Sequence, residues 1–396
     1  MTRGKGEGGI FQDARGMWTA VLELPPGPDG KRRQKRIRSR DKRTVVTKLQ
    51  DMQRELRLRG DLPTADVTVE QWFLHWFEHV VLPNNRPKTA AGYHSVIRLH
   101  IIPTIGKLRL EKLNAEHIRA VATAMTDAGL SSTYALNAHR IMAAAFEAAI
   151  REGKLGRNPA KLTKAPRKAV VKIEALTLPE SVEVLRHVLR DPVIGARWAM
   201  SLLTGARRGE VIGLEVDRVG DTLDLSWQMQ RLATGARGTR GEPGRPNVPH
   251  DFEYRHVEGG LYLTRPKSGA GWREIPLVDP MRSILEAHME RTPENRWGLV
   301  FTEDGYPLDP DQDSTAWRAV LASTGIEKNV RLHDLRHTAV DLLYLSGVPE
   351  DLIQEIVGHS TRAMSRAYKT RVSNERLTAA MEQFSAQFGD IKSLGH

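Results

Sequence analysis

Residues 161–172 read KLTKAPRKAVVK, a basic, proline-interrupted run with neither helical nor strand period. Such a run has no apolar face to bury, so it reads as an interdomain linker over 161–174. The residues on its two sides are patterned differently. From 66 to 160 apolar residues recur at helical spacing, whereas from 175 to 396 helix-like and strand-like stretches alternate. A third pattern, short strand-like runs followed by one helix, fills 1–62. A chain of 396 residues is long enough for two or three cores and too long for a single one to be expected. The fold class implied is multidomain α+β: a small β-sheet-plus-helix N-terminal module, an all-α domain, and a mixed, mainly α domain with a small antiparallel sheet.

Charge is concentrated in the first module. Through Asp61 it holds 16 Lys and Arg against 8 Asp and Glu, a balance of +8 out of the chain's formal +11. A basic surface gains free energy by releasing counterions from a polyanion, so a nucleic acid partner is favoured, although charge alone would also suit a merely basic protein. Gly9 to Phe11, Trp18 to Leu24 and Gln34 to Arg38 read as strands, with a turn-rich connection at Pro25 to Gly30. A helix from Thr44 to Arg59 can pack Val45, Leu49, Met52 and Leu56 on that sheet. With basic side chains on the open face, such a sheet can enter a major groove. Lys31, Arg32, Arg33, Lys35, Arg36 and Arg38 are its candidate contacts. A disordered basic tail is the competing reading, and Trp18 with its alternating neighbours argues against it.

The second module reads as all helix. Thr68 to Gln71 forms a capping box, after which Trp72, Phe73, Trp76, Phe77 and Val80 make one apolar stripe, expected as core rather than as a base-stacking platform. Further helices are expected from Lys88 to about His100, from near Asn114, and from Thr133 to Glu152, closed by Asn158 and Pro159. Lys88, Arg98, Arg140 and Arg157 are candidate phosphate contacts that ordinary solvated charge explains equally well.

Composition removes several classes of chemistry. The chain has no cysteine, which excludes disulfides, thiol nucleophiles and Cys-ligated zinc and fits a reducing compartment. Its 14 histidines form no HExxH pair, so no metal is indicated. No apolar run is long enough to span a bilayer, and MTRGKGEGG lacks the apolar centre of a signal peptide, so a soluble, cytoplasmic protein without a membrane partner is expected.

The third module carries the chemistry. Thr177 and Glu180 open it with a capping box. Thr204 to Glu210 spells TGARRGE, where Gly205 and Gly209 allow a tight turn around Arg207; an Arg208–Glu210 surface ion pair is the bland reading. Strand-like segments at Leu223 to Met229, Leu261 to Thr264 and Trp272 to Leu277 follow, the last two flanking Lys267 in the glycine-containing hairpin connection PKSGAG. Leu232 to Gly260 between them is long, rich in Gly, Pro and Arg, and without period. A helix is expected near Met281 to Glu290. Arg331 to Tyr368 reads RLHDLRHTAVDLLYLSGVPEDLIQEIVGHSTRAMSRAY. If His333 and Arg336 share a helix, their side chains leave one face and reach one anion. A last helix, Glu375 to Phe388, presents Leu377, Ala380, Met381, Phe384 and Phe388 on one side.

Two guanidiniums and a histidine suit a phosphodiester, because its pentacoordinate transition state gathers negative charge and an arginine fork matches the nonbridging oxygens at any relevant pH. A tyrosine nucleophile conserves the bond energy that water would waste, since a phenolate is also a reasonable leaving group. Tyr344, inside the apolar run Val340 to Leu345, looks like core.

Together, TGARRGE, RPKSGAGWREIPL and the Arg331–Tyr368 stretch resemble the catalytic core of the tyrosine recombinases, the phage integrase family of site-specific DNA recombinases. KTAAGYHSVIRLHIIPTIGKLRL and the helices after it resemble that family's core-binding domain, and residues 1–62 look like the arm-type DNA-binding module many phage integrases carry. The resemblance implies Arg207, Lys267, His333, Arg336 and His359 as catalytic residues around the nucleophile Tyr368, with Glu210 supporting them. Arg207, Arg336 and His359 would bind the phosphate, Lys267 would protonate the leaving 5′ oxygen, and His333 would take the tyrosine proton. His337 is expected to be structural.

It also implies double-stranded DNA with core-type and arm-type attachment sites as substrate, a homotetramer on DNA, an excision factor and a host DNA-bending protein as accessory partners, and no cofactor. The C-terminal helix would pack in cis or on a neighbouring protomer. A type IB topoisomerase-like enzyme, a chromosome-dimer or transposon-borne recombinase, and a non-cutting architectural DNA binder remain alternatives.

Overall fold

The structure, a computed structural model, describes residues 9–26, 32–59, 67–170, 173–232, 246, 248–266, 271–358 and 374–388. They group into two compact units, Met1–Asn84 with Thr89–Val170 and Asn85–Lys88 with Val171–His396.

The first unit opens with a three-stranded antiparallel sheet in the order β1-β2-β3, from β1 (Gly9–Gln12), β2 (Trp18–Leu24) and β3 (Arg33–Ser39). Helix α1 (Lys42–Arg59) covers one face. It begins before the expected Thr44 because Asp41 caps it, accepting the backbone N–H groups of Arg43 and Thr44. Ala20, Leu22, Val45 and Leu49 are buried between sheet and helix, with Ile37, Met52 and Leu56 packed around them. Ala20 pairs with Ile37 and Val21 with Arg36, so alternation sends Arg36 and Arg38 to the open face, where both are exposed. Lys35, opposite Leu22, falls on the helix side instead.

The all-helical part consists of α2 (Val69–Trp76), α3 (Leu82–Asn84), α4 (Pro87–Val96), α5 (Ile102–Ile105), α6 (Ala115–Asp127) and α7 (Ser132–Arg151). Thr68 and Gln71 form the expected capping box, and Asn114 caps α6. Trp72 and Phe73 are buried, with the Trp72 indole donating to the Ala145 carbonyl at 3.0 Å. The helix expected to stop near His100 runs on to Ile105. A π-helical turn, Ile97–Ile101, precedes the proline at 103 and absorbs the hydrogen bond that proline cannot make. Phe77–Val81 plays the same part before Pro83. The expected linker begins inside a 3-10 turn, Pro159–Leu162, where Lys161 pairs with Glu147 at 2.6 Å.

In the second unit, α8 (Leu178–Val188) has its Thr177–Glu180 capping box and leads to the buried α9 (Pro192–Thr204) and the short α10 (Arg208–Ile212). The strand expected from Leu223 to Met229 is two, β4 (Thr222–Asp224) and β5 (Gln228–Arg231), in different sheets. The chain turns between them where Ser226 N–H bonds the Asp224 carboxylate at 2.8 Å. The aperiodic 232–260 segment contains β6 (Tyr254–Glu258), too polar to read as a strand, which forms a hairpin with β7 (Leu261–Thr264) around Gly259. β8 (Glu274–Pro276) pairs with β4 and not with β7, so among the described residues the expected β7–β8 hairpin is not formed.

Next come α11 (Met281–Arg291), a small hairpin of β9 (Thr302–Glu303) and β10 (Tyr306–Pro307), and α12 (Pro310–Ser323), whose aspartate cap went unread. Helices α13 (Leu335–Leu345), α14 (Glu350–Val357) and α15 (Asn374–Ser385) complete the unit. The last packs on its own chain: Leu377, Ala380, Met381, Phe384 and Phe388 join the core, and Gln383 donates to the Ser346 carbonyl. Tyr344 is 50% exposed, contrary to the core position expected of it, because Leu335, Ala339 and Leu342 form the inward stripe of α13. No described helix is long and apolar enough to cross a membrane.

Helix α9 delivers the site, and its close approach to α8 depends on Gly195, where a Cβ would overlap the Val188 carbonyl. Gly195→Ala should lower stability by about 1–3 kcal/mol or more, seen as a lower denaturant midpoint at unchanged slope. An unchanged midpoint would contradict this packing.

Candidate active site

Thr204 ends α9 and Gly205 turns the chain with φ +63°, a conformation glycine adopts without strain. A Cβ on Gly205 would lie 2.9 Å from Val357 and 3.4 Å from Ala339, so the turn is wedged against α14 and α13. Gly209 has a different role from the one expected. It lies within α10, where a Cβ would sit 2.8 Å from the Met229 carbonyl, and so lets β5 close on the helix.

Arg207 is the residue before α10 and Glu210 lies in its first turn. Glu210 is 1% exposed and is not a surface partner of Arg208. Its carboxylate accepts the Arg207 backbone N–H at 2.8 Å and the Arg207 Nη1 at 2.6 Å. On its other side it accepts both terminal nitrogens of Arg273, Nη1 at 3.1 Å and Nη2 at 2.9 Å. Burial pushes the carboxyl up, and the charges of Arg273 and then Arg207, with their hydrogen bonds, outweigh that and hold it below its ordinary range. Arg273 Nε donates to the Ile356 carbonyl at 2.7 Å and Arg207 Nη2 to the Gly358 carbonyl at 3.0 Å. One carboxylate therefore orients two guanidiniums, and both also grip the end of α14.

Arg336, in the first turn of α13, is 4% exposed. Its Nη1 donates to the Gly205 carbonyl at 2.9 Å, while Nη2 is buried without a hydrogen-bond partner. Burial, then the like charges of Arg207 and Arg273, pull its pKa down to about 9. A buried donor without an acceptor is costly unless something arrives to accept from it. Three guanidiniums, Arg207, Arg273 and Arg336, thus surround Glu210, leaving an excess of positive charge that an anion would offset.

His333 lies in a 3-10 turn, Leu332–Asp334, rather than on the same helix as Arg336. It is exposed and lines a cavity together with Arg207, yet the protein near it still costs it hydration. That desolvation, with His337 and Arg336 nearby, lowers its pKa below 6.5, so the imidazole is neutral at pH 7. His337 stands edge-on to it, ring centres 6.0 Å apart. The geometry thus gathers Arg207, Glu210, His333 and Arg336 from segments far apart in sequence.

Lys267, His359 and Tyr368, and Lys31 of the first module, lie outside the described residues. Arg32 is paired with Glu23. Lys88, Arg98, Arg140 and Arg157 are exposed. Arg273 was missed by sequence reasoning. It stands in the strand-like WREIPL, and its one signal was a charged residue alternating into a buried position between Trp272 and Ile275.

Arg273→Met leaves Glu210 buried with one partner, and removing one partner of such a pair costs about 3–5 kcal/mol. Equilibrium denaturation within about 1 kcal/mol of the parent would contradict this accounting. Because the Glu210 pKa is lowered on folding, its contribution is fully present above its ordinary 4.5 and lost as pH falls below that value. Stability of Glu210→Gln should accordingly vary less steeply with pH in that acid range.

Residues 251–375 match the model of the phage integrase family, and 68–125 match a phage integrase N-terminal SAM-like domain. An integrase of Saccharopolyspora erythraea is 28% identical over 94% of both chains, and one of Streptomyces ambofaciens is 28% identical over 92% of both. Among solved structures, a lambda integrase dimer bound to a core site superposes with a TM-score of 0.58 at 18% identity, covering 93% of this chain and 97% of that one. The Tn1549 transposon integrase in complex with a circular intermediate DNA gives 0.61 at 20%, covering 80% and 99%. These last two likenesses concern the fold. With the sequence motifs and the arginine-rich site, these matches support a tyrosine recombinase of the phage integrase family.

Proposed function

We propose that the chain cuts and rejoins DNA strands at specific sites through a 3′-phosphotyrosyl intermediate, integrating phage or mobile-element DNA. The observation that carries this reading is the buried, unpartnered Nη2 of Arg336 beside Arg207, a ready-made donor for a phosphate oxygen. Tyr368 attacks phosphorus and the 5′ oxygen leaves. His333, neutral at pH 7, takes the phenolic proton, and Lys267 gives one to the leaving oxygen. Glu210 and Arg273 keep Arg207 aimed, and His359 adds a third donor to the phosphate. The return step reverses these moves, with the 5′ hydroxyl of a partner strand as nucleophile. Charge stabilisation comes from arginine, so no metal is required.

Exposed Arg36 and Arg38 on the sheet support an arm-site reader in 1–62, joined to a core-binding domain at 66–160 and a catalytic domain at 175–396. Two readers on one chain can bridge distant sites, gaining effective concentration in a tetramer when the DNA is bent by a host protein, with an excision factor setting direction. The likeness to the Tn1549 integrase supports a transposon-borne element as the second reading.

Half-site DNA incubated with the protein in EDTA should give a denaturation-resistant adduct that Tyr368→Phe abolishes; no adduct contradicts the proposal. Arg336→Lys should slow adduct formation about 10²–10³-fold. The acid limb of kcat/KM reports the free enzyme, so it should fall below pH 6.5 and vanish in His333→Gln. A limb at or above 6.5 would remove His333 as proton acceptor.

A further inference from the structure

The cavity shared by Arg207 and His333 continues beyond them. Its volume is about 630 Å³, within the range that accepts a nucleotide-sized ligand. Its outer wall carries three more arginines from separate elements: Arg208 on α10, Arg318 on α12, and Arg331 before α13. Their neutralisation is uneven. Arg331 is held by Asp334 through two hydrogen bonds, Nε at 2.8 Å and Nη2 at 3.0 Å. Arg208 donates to the Ser314 hydroxyl, and its nearest carboxylate, Asp311, is 3.8 Å away and 86% exposed. Arg318 has neutral partners, the Ser314 carbonyl at 3.3 Å and the Thr315 hydroxyl at 3.2 Å. Ser314 therefore orients both arginines without cancelling either charge, and the wall keeps a positive excess facing the cavity. Among the described residues, no aromatic ring other than His333 lines it on which a base could stack.

We propose that Arg208 and Arg318 form a second phosphate subsite, which takes a backbone phosphate of the DNA next to the one held by Arg207 and Arg336. The ligand is a phosphodiester, recognised by charge and not by base edges. This inference rests on the strand-transfer reading for what occupies the inner site. Its consequence is register: two adjacent phosphates held at once fix which one faces the nucleophile, whereas one held alone would let the strand slide.

The test uses the full-length protein and core-site duplexes carrying a single neutral methylphosphonate at each position around the cleavage point. Arg208→Gln and Arg318→Gln should each weaken binding about tenfold and reduce the slope of log K against log salt by about one. Each should also become insensitive to one particular methylphosphonate that weakens binding by the parent. Arg208→Lys and Arg318→Lys, which keep the charge, should restore most of the affinity. Unchanged affinity, or weaker binding with every methylphosphonate penalty intact, overturns the subsite. So does a loss shared by the lysine variants together with a lowered melting temperature. Adduct formation scored on the same duplexes separates the two readings. A parent with the arginine-dependent footprint but no adduct contradicts strand transfer alone. An adduct without that footprint contradicts the subsite alone.

Discussion

A carboxylate buried to 1% exposure between two guanidiniums is the interaction around which the catalytic unit is arranged. Alone, Glu210 at this depth would take up a proton; with either arginine removed, it would stay buried with one partner, at a cost in stability. With both present, the carboxylate is fully ionised and its oxygens are saturated by donors. The guanidinium of Arg207 is then not free to swing, and its position is set before any substrate arrives. Preorganisation of this kind is where charge stabilisation gains over water, which must reorient during the reaction.

The same two arginines close the C-terminal end of α14 by donating to the carbonyls of Ile356 and Gly358. Those carbonyls are the orphan acceptors every helix leaves at its end, and cations there also suit the helix dipole. Gly358, in the left-handed conformation, then releases the chain toward the segment that carries His359 and Tyr368. A single hydrogen-bonded cluster thereby couples the turn after α9, the residue leading into strand β8 and the exit of α14. Arg336 joins it through the Gly205 carbonyl but keeps one donor unspent.

The helical elements were legible because their signals are local. Capping boxes at Thr68 and Thr177, the apolar spacing of α15 and the glycine after α9 each act within a few residues. The sheet was legible only in part. β6 shows no alternation, its neighbouring Arg255 and His256 both being exposed, and the break between β4 and β5 is decided by which strand each pairs with, a long-range choice that no local pattern carries. In the site, Arg207, Glu210, His333 and Arg336 were named from the resemblance of their motifs, and the helix expected to carry both His333 and Arg336 begins only after His333, which lies in a 3-10 turn. Arg273 was not named, because its importance lies in a carboxylate 63 residues away. Tyr344 misled for a simpler reason: an apolar neighbourhood in sequence says nothing about which way the last turn of a helix faces.

The central claim is that Arg207 and Arg336 act on the charge of one phosphate. Removing that charge tests it most directly, by measuring single-turnover cleavage of a duplex whose scissile phosphate is replaced by a neutral methylphosphonate. If the claim holds, the deficit of Arg336→Ala relative to the parent on the normal diester shrinks at least tenfold or so on the neutral substrate, since there is less charge left to stabilise. An equal deficit on both substrates would mean that Arg336 supports the fold and not the reacting phosphate.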